Sequence, residues 1–327
     1  MSHIGKLCLV GLLITLAACS GQPERPQWID TPQAAYPAAT HLSAVGSGED
    51  LQTASDRALA NLARIFEAAV SDTSQDFSSA QSVGSGELQQ TTNEQRVSRE
   101  ISIETRKVVE GATIAEQWQA TDGRNYALAI LDKNAAAARF RAAIQPLDTK
   151  VEELVTYGTK TAATPVAAMR ALALARQTQL QRDELNRSLM IVANGQGIRS
   201  RYSLPDIENL LRNGLAELTI QVRADDASVA AELQRALTQM GVRVVTKDSY
   251  LSLAGSLDLA PVEQRQGWYW QRGSYELIFR QGEKVMAKQR WPLKASSTEE
   301  GLLEGRVRDE INRQLPARVF ELLSTEP

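Results

Sequence analysis

Leu42-Ser43-Ala44-Val45-Gly46-Ser47-Gly48-Glu49-Asp50 opens the stretch that decides the fold. Leu51, Ala54, Ala58, Leu62, Ile65, Phe66 and Ala69 follow at three- and four-residue steps. The first half reads as a short strand, 42–46, turned by Gly46-Ser47-Gly48. The second half is a helix with one buried face, running to about residue 70, because an apolar stripe at that spacing lies on one side of a 3.6-residue period. Glu49 and Asp50 place acid in the first helical turn, where the helix dipole favours it. A strand that hands over to an amphipathic helix is the start of an α+β domain.

Downstream, residues 71–88 are rich in Ser, Gly, Gln and Asp and read as a loop. The wider stretch 71–94 reads as a solvated insertion rather than a lid over a substrate. Val97, Ile101 and Ile103 then share one face of a strand, with Ser98, Glu100, Ser102 and Glu104 on the other. Ile114, Glu116, Trp118 and Ala120 alternate again, and Asp122-Gly123 is a strong two-residue hairpin signal. The return strand, 124–131, carries Tyr126, Leu128 and Ile130 on one face. Strand, helix and three antiparallel strands make a first domain over 28–133.

A helical stretch covers 134–197, with Val151, Leu154 and Val155 before Gly158. Thr164-Pro165 offers an N-cap and a proline at the first helical position. Leu172, Ala175, Leu185 and Leu189 continue to a stop at Gly195-Gln196-Gly197. This is a helical hairpin joining two domains. A heptad dimer is the alternative, but the apolar spacing is not kept for three or four heptads.

The second domain runs over 201–323. Leu218, Ile220 and Val222 mark a strand over 216–222, and 226–240 is an amphipathic helix ended by Gly241. Strands follow over 242–246 and 250–259, then an antiparallel pair, 267–279 and 285–292, around Gln281-Gly282. The closing helix, 298–323, turns Leu302, Val307, Ile311 and Leu315 inward, with a kink at Pro316. The fold class is α+β: two small antiparallel or mixed-sheet domains, each packed with helices.

The start of the chain carries a different message. Met1-Ser2-His3-Ile4-Gly5-Lys6 has one positive charge, and the apolar run 7–16 follows. The run is too short to span a bilayer, which needs about 20 apolar residues. Charged start, short apolar core and small residues before a cut make an export signal over 1–18. Leu16-Ala17-Ala18-Cys19 resembles the lipobox of bacterial lipoproteins. The resemblance implies cleavage between Ala18 and Cys19 and acylation of the Cys19 thiol, including palmitate. Two or three acyl chains hold firmly where one holds weakly. Ser20 rather than Asp after the cysteine implies, by the same resemblance, the outer membrane. The polar tether, 19–27, spans about 25–30 Å when extended, so the first domain sits near the periplasmic face.

Composition narrows the chemistry. Cys8 and His3 leave with the signal and Cys19 is lipidated, so His41 is the one remaining histidine. A His/Cys zinc site is excluded, no disulfide can form, and no cofactor motif is found. Loss of Lys6 takes the formal charge from −3 to −4, which argues against nucleic acid. Gly46-Ser47-Gly48 lacks the third glycine of a dinucleotide loop, since Leu51 stands there. His41, with no companion histidine, reads as a solvated or hydrogen-bonded side chain rather than a catalytic base. Trp268-Tyr269-Trp270, with Arg265 and Arg272 nearby, is the most unusual cluster. Trp268 and Trp270 share one strand face. Core packing is the preferred reading, and an outward patch for a partner is the alternative.

Pro26-Gln27-Trp28-Ile29, Tyr36-Pro37, the stretch 42–48 and the alanine-rich helix with Ala54, Ala58, Ala60, Leu62 and Ala63 resemble the Lpp-twenty family of bacterial lipoproteins. The resemblance covers about 26–145. The same module opens the flagellar protein FlgT, and it brings no active site with it. The pattern of strand, helix ending in Gly241, and strand more weakly resembles the N-terminal domain of TolB and its relatives CsgG and LpoB. Together these imply a non-enzymatic assembly or regulatory adaptor of the cell envelope, anchored to the outer membrane through Cys19 and in contact with envelope proteins. A part in the flagellar outer-membrane ring is the second expectation, and an envelope enzyme such as a cell-wall hydrolase the third.

Overall fold

The structure, a computed structural model, describes residues 24–81 and 111–324. The export signal, Cys19 and the strand expected over 97–104 lie outside the described residues. The chain falls into two compact units: one takes in the chain up to Leu62 together with Thr113–Ile130, and the other the remainder. The architecture is α+β, with a three-stranded and a six-stranded sheet. Among the described residues no helix is long and apolar enough to cross a membrane.

The first unit is a sheet with the strand order β1-β3-β2, where β1 is His41–Gly48, β2 Thr113–Gln119 and β3 Asn125–Asp132. Strands β2 and β3 pair antiparallel, with a bulge between Ile114 and Glu116. The chain turns between them at the expected place but not as a two-residue Asp122-Gly123 turn: the Gly123 amide donates to the Ala120 carbonyl at 2.9 Å, which makes Thr121 and Asp122 the central residues, and Gly123 follows them with a φ of 85°. One sheet face carries Val45, Trp118, Tyr126, Leu128 and Ile130, covered by Trp28, Ile29 and Tyr36 from the segment around α1, Pro32–Ala35.

The opposite face meets the start of α2, Leu51–Gln81. Here the structure corrects the reading of the glycines. Gly46 and Gly48 belong to β1, and the bend falls at Glu49 and Asp50. A Cβ on Gly46 would stand 2.2 Å from the Ala58 amide nitrogen and 2.4 Å from the Ala54 carbonyl oxygen. The glycine is there because strand and helix backbones touch. Small residues line both sides of the contact, with Ala44, Ala127 and Ala129 on the sheet and Ala54 and Ala58 on the helix, all buried. Asn61 and Arg57 donate to the Val45 and Ser47 carbonyls at 2.8 and 2.7 Å.

Helix α2 differs from the expectation in two ways. It extends through Gln81, so residues 71–81, expected in a loop, are helical, and the rest of that expected loop lies outside the described residues. Its buried stripe is Ala54, Ala58, Leu62, Phe66 and Val70, while Leu51 and Ile65 are exposed. The close backbone approach falls at Ala54 and Ala58, and farther along Phe66 stacks on the ring of Phe140, 6.2 Å between centroids.

The second unit begins with α3, Lys133–Thr156, capped by Asp132, whose carboxylate accepts from the Asn134 and Ala135 amides. A π-turn, Tyr157–Thr161, leads to α4, Pro165–Val192, with Thr164 as N-cap and proline at the first position as expected. This hairpin is more than a connector. Val151, Val155, Val166, Met169, Leu172 and Ala175 belong to the same core cluster as the sheet that follows. Helix α5, Leu204–Glu217, was not expected. Ser203 and Asp206 form a capping box at its start, and the strand read from 216 begins only at Thr219.

The second sheet contains β4 Thr219–Arg223, β5 Arg243–Val245, β6 Leu251–Leu259, β7 Glu263–Arg265, β8 Trp268–Gln281 and β9 Lys284–Ser297. The order is β5-β4-β6-β8-β7, with β9 on the other side of β8. Strand β4 pairs parallel with β5 and β6, and the remaining pairs are antiparallel. Among the described residues β9 pairs only with β8. Helices α6, Ala227–Gln239, and α7, Leu303–Ser324, cover one face. Tyr275, Leu277 and Phe279 of β8 and Trp291 and Leu293 of β9 point into that core. Leu277, Phe279 and Leu293 each contribute about 1.5–3 kcal/mol by burial. Leu302, expected inward, precedes α7 in a 3-10 turn and is 49% exposed. Pro316 lies inside α7 and is buried.

Candidate functional site

The parity of β8 settles where the aromatic cluster points. Successive strand side chains alternate between faces. Tyr275, Leu277 and Phe279 are buried, so the even-numbered residues face away from the helices. Tyr269 packs against the core, while Trp268 is 44% exposed and Trp270 half-buried on the open face. The core reading of Trp268 and Trp270 is thereby corrected. The Lys294 ammonium stands over the Trp270 ring, 4.8 Å from its centroid.

The rest of the open face is charged and polar. Arg272 lies opposite Lys294, and Glu276 opposite Arg290, in the β8–β9 register. Lys288 reaches Glu276 at 3.0 Å, and Arg290 reaches Asp258 of β6 at 3.2 Å while donating to Ser274. Ser256 and Asp258 of β6 are exposed, as are Arg223 of β4 and Arg243 of β5. Among the described residues neither Arg272 nor Lys294 has an acidic partner. The face is therefore rich in cations in a chain whose formal charge is −3.

Because both tryptophans lie off the core, their removal is expected to leave folding nearly untouched. Trp268→Ala should melt within a degree or two of wild type, since surface changes usually cost under about 0.5 kcal/mol. Trp270→Ala should cost slightly more, through the lysine contact, worth about 0.5–1 kcal/mol at an exposed site. A Trp268→Ala loss of several kcal/mol in thermal unfolding would contradict the open-face placement.

His41 shares a hydrogen bond with Thr40 at 3.0 Å and meets the Tyr36 ring edge-on at 5.5 Å. Tyr36 donates to Glu116 at 3.2 Å. Glu232 is buried against Arg308 at 3.1 Å, and burial pushes its carboxyl up; burial likewise pushes up the Tyr275 hydroxyl. These two lie within helix–sheet packing, not in a cleft. Arg182 is 1% exposed and joins Asp148 of α3, Asp183 of α4 and the Ile198 carbonyl at 2.9, 3.5 and 2.7 Å. It fastens the hairpin to the segment that leads into α5. A shallow concavity of about 550 Å³ runs along α3 beside Asp148, Glu152 and Tyr157. Among the described residues no group of three or more His, Cys, Asp or Glu is placed to hold a metal ion.

The segment with Trp28 over one sheet face and glycine-mediated helix contact on the other has a family match. Residues 26–132 match the LPP20 lipoprotein family. The matched LPP20 segment is about a third of the chain, and the C-terminal sheet lies outside it. Among curated proteins none matches the chain. Solved structures similar to it include a minor lipoprotein from Acinetobacter baumannii, with 12% identity, a TM-score of 0.28, and coverage of 33% of this chain and 96% of that one. The secreted protein HP1454 from Helicobacter pylori aligns over 87% of this chain and 97% of its own, at 14% identity and a TM-score of 0.38. A Caulobacter crescentus lipoprotein aligns over 35% and 91%, at 14% identity and a TM-score of 0.25. The protein is an envelope lipoprotein by its LPP20 segment.

Proposed function

We propose that the protein is an outer-membrane lipoprotein, acylated on Cys19 and facing the periplasm, that acts as a non-enzymatic adaptor through contacts with envelope proteins. The observation that carries the adaptor reading is the open face of the second sheet, where Trp268 and Trp270 stand among cations instead of in the core. Tryptophan and arginine are the residues most enriched among interface hot spots. The lipobox Leu16-Ala17-Ala18-Cys19 supports the anchor.

One experiment reads both parts. A photo-crosslinking residue is placed at Ser256, exposed on the open face, in chains with and without Cys19→Ser. The chain with Cys19 is expected in the outer-membrane fraction, labelled by palmitate, and joined on illumination to another envelope protein. The Cys19→Ser chain is expected as an unprocessed precursor outside that fraction. Maturation and acylation of Cys19→Ser would remove the anchor assignment. A properly anchored chain that forms no protein adduct from Ser256 would remove the adaptor face.

A further inference from the structure

We infer that the open face of the second sheet docks an acidic protein surface bearing an aromatic or apolar side chain. The inference rests on the adaptor reading and gives its partner a chemistry. Arg223, Arg243, Arg272, Lys288, Arg290 and Lys294 are all exposed on β4, β5, β8 and β9, and the face holds three acids, Asp258, Glu276 and, opposite Trp270 on β7, Glu263. Those acids are already engaged, Asp258 by Arg290, Glu276 by Lys288 and Glu263 by Arg265. Arg272 and Lys294, side by side in the register, are left to attract a carboxylate from outside, beside the exposed ring of Trp268.

The charge pattern selects a protein over a membrane or a phosphate polymer. A lipid surface is recognised by a block of like charge. Here acids are set into the cationic field in fixed register and alternate with Ser256, Ser274 and Ser296. Interspersed signs repel a uniformly anionic surface at some points and give register to a patterned one. The aromatic end supplies the apolar anchor that a protein interface needs beside its charges. The contact is made by the face and not by the edge of β9, where Pro292 has no amide hydrogen to offer a new strand.

The test uses the full-length lipidated protein in detergent and two fluorescent probes, a glutamate–tyrosine copolymer and inorganic polyphosphate. The copolymer is expected to bind more tightly, and to weaken as salt rises from about 50 to about 300 mM, where the screening length shrinks. Arg272→Glu with Lys294→Glu should weaken copolymer binding at least about tenfold, the cost of setting like charges opposite each other. Trp268→Ala should reduce the preference for the copolymer, and Arg212→Glu, on α5, should change nothing. Thermal unfolding of each variant reports that the fold is retained. Polyphosphate binding as tightly through the same residues would overturn the inference in favour of an anionic headgroup. Copolymer binding indifferent to the double reversal would also overturn it. If the Ser256 adduct still forms in that case, the adaptor reading stands and only the acidic chemistry falls. If the adduct is absent as well, the reading beneath it fails.

Discussion

Gly46→Val is expected to unfold the first unit while the second retains its structure. The strand and helix backbones meet at this residue, and the nearest atoms to an added Cβ are main chain, at 2.2 and 2.4 Å. A side-chain obstacle could rotate away, but a helix backbone cannot. Overpacking a core costs about 1–3 kcal/mol even where side chains yield. The expected loss here is at the top of that range or above. Limited proteolysis should show cleavage within 24–62 and 113–130, with fragments of the second unit persisting. Gly301→Ala provides the comparison, since nothing lies within 4 Å of a Cβ there. If Gly46→Val melts like wild type, the backbone contact does not exist in solution.

Arg182→Ala is expected to be comparably severe in the second unit. Removing one member of a buried charge network costs up to about 3–5 kcal/mol, and the cost falls toward the lower end here because Asp148 and Asp183 are partly exposed and Asp183 keeps the bond from Gln179. Asp148 and Asp183 would lose their guanidinium, and the Ile198 carbonyl its donor. The pH dependence follows from Asp183. Burial pushes its carboxyl above the ordinary value of 3.8, and Arg182 pulls it back. An acid whose folded-state pKa is raised costs stability above its unfolded value and ceases to cost it below. Removing Arg182 raises it further, so the deficit of the variant should be largest near neutrality and shrink as pH falls toward 3.8. Urea unfolding of both proteins across that interval measures it. A deficit independent of pH would mean that packing, not charge, explains the loss.

Much of the fold could be read from residue patterns because they repeat. The stripe Ala54, Ala58, Leu62 and Phe66 is periodic, Asp122-Gly123 marks the place of the hairpin turn though not its type, and Thr164-Pro165 starts a helix where it should. The errors lie where two physical causes give the same residue. Glycine serves both a turn and a close approach, and Gly46 is the second. Tryptophan serves both core and surface. There the deciding information was present in the chain: Tyr275, Leu277 and Phe279 fix the inward parity of β8, and Trp268 and Trp270 fall on the other parity. Helix α5 was missed although Ser203-Leu204-Pro205-Asp206 is a capping signature. That the hairpin α3–α4 belongs to a core and is no mere joint could not be read from its own stripe, which states only that it is buried. The open face itself is a tertiary property, since its cations come from four strands spread over 223–294.

Strand β9 has a consequence for life on a crowded surface. A fourteen-residue strand with one side unpaired among the described residues is long enough to recruit a copy of itself. Anchoring would confine such copies to two dimensions and multiply their encounters. Pro292 interrupts the row of donors midway, and Lys284, Lys288, Arg290 and Lys294 would set cation against cation in any antiparallel meeting of two such edges. The strand thus carries its own brake on filament growth, and replacing Pro292 would release part of it without touching the core.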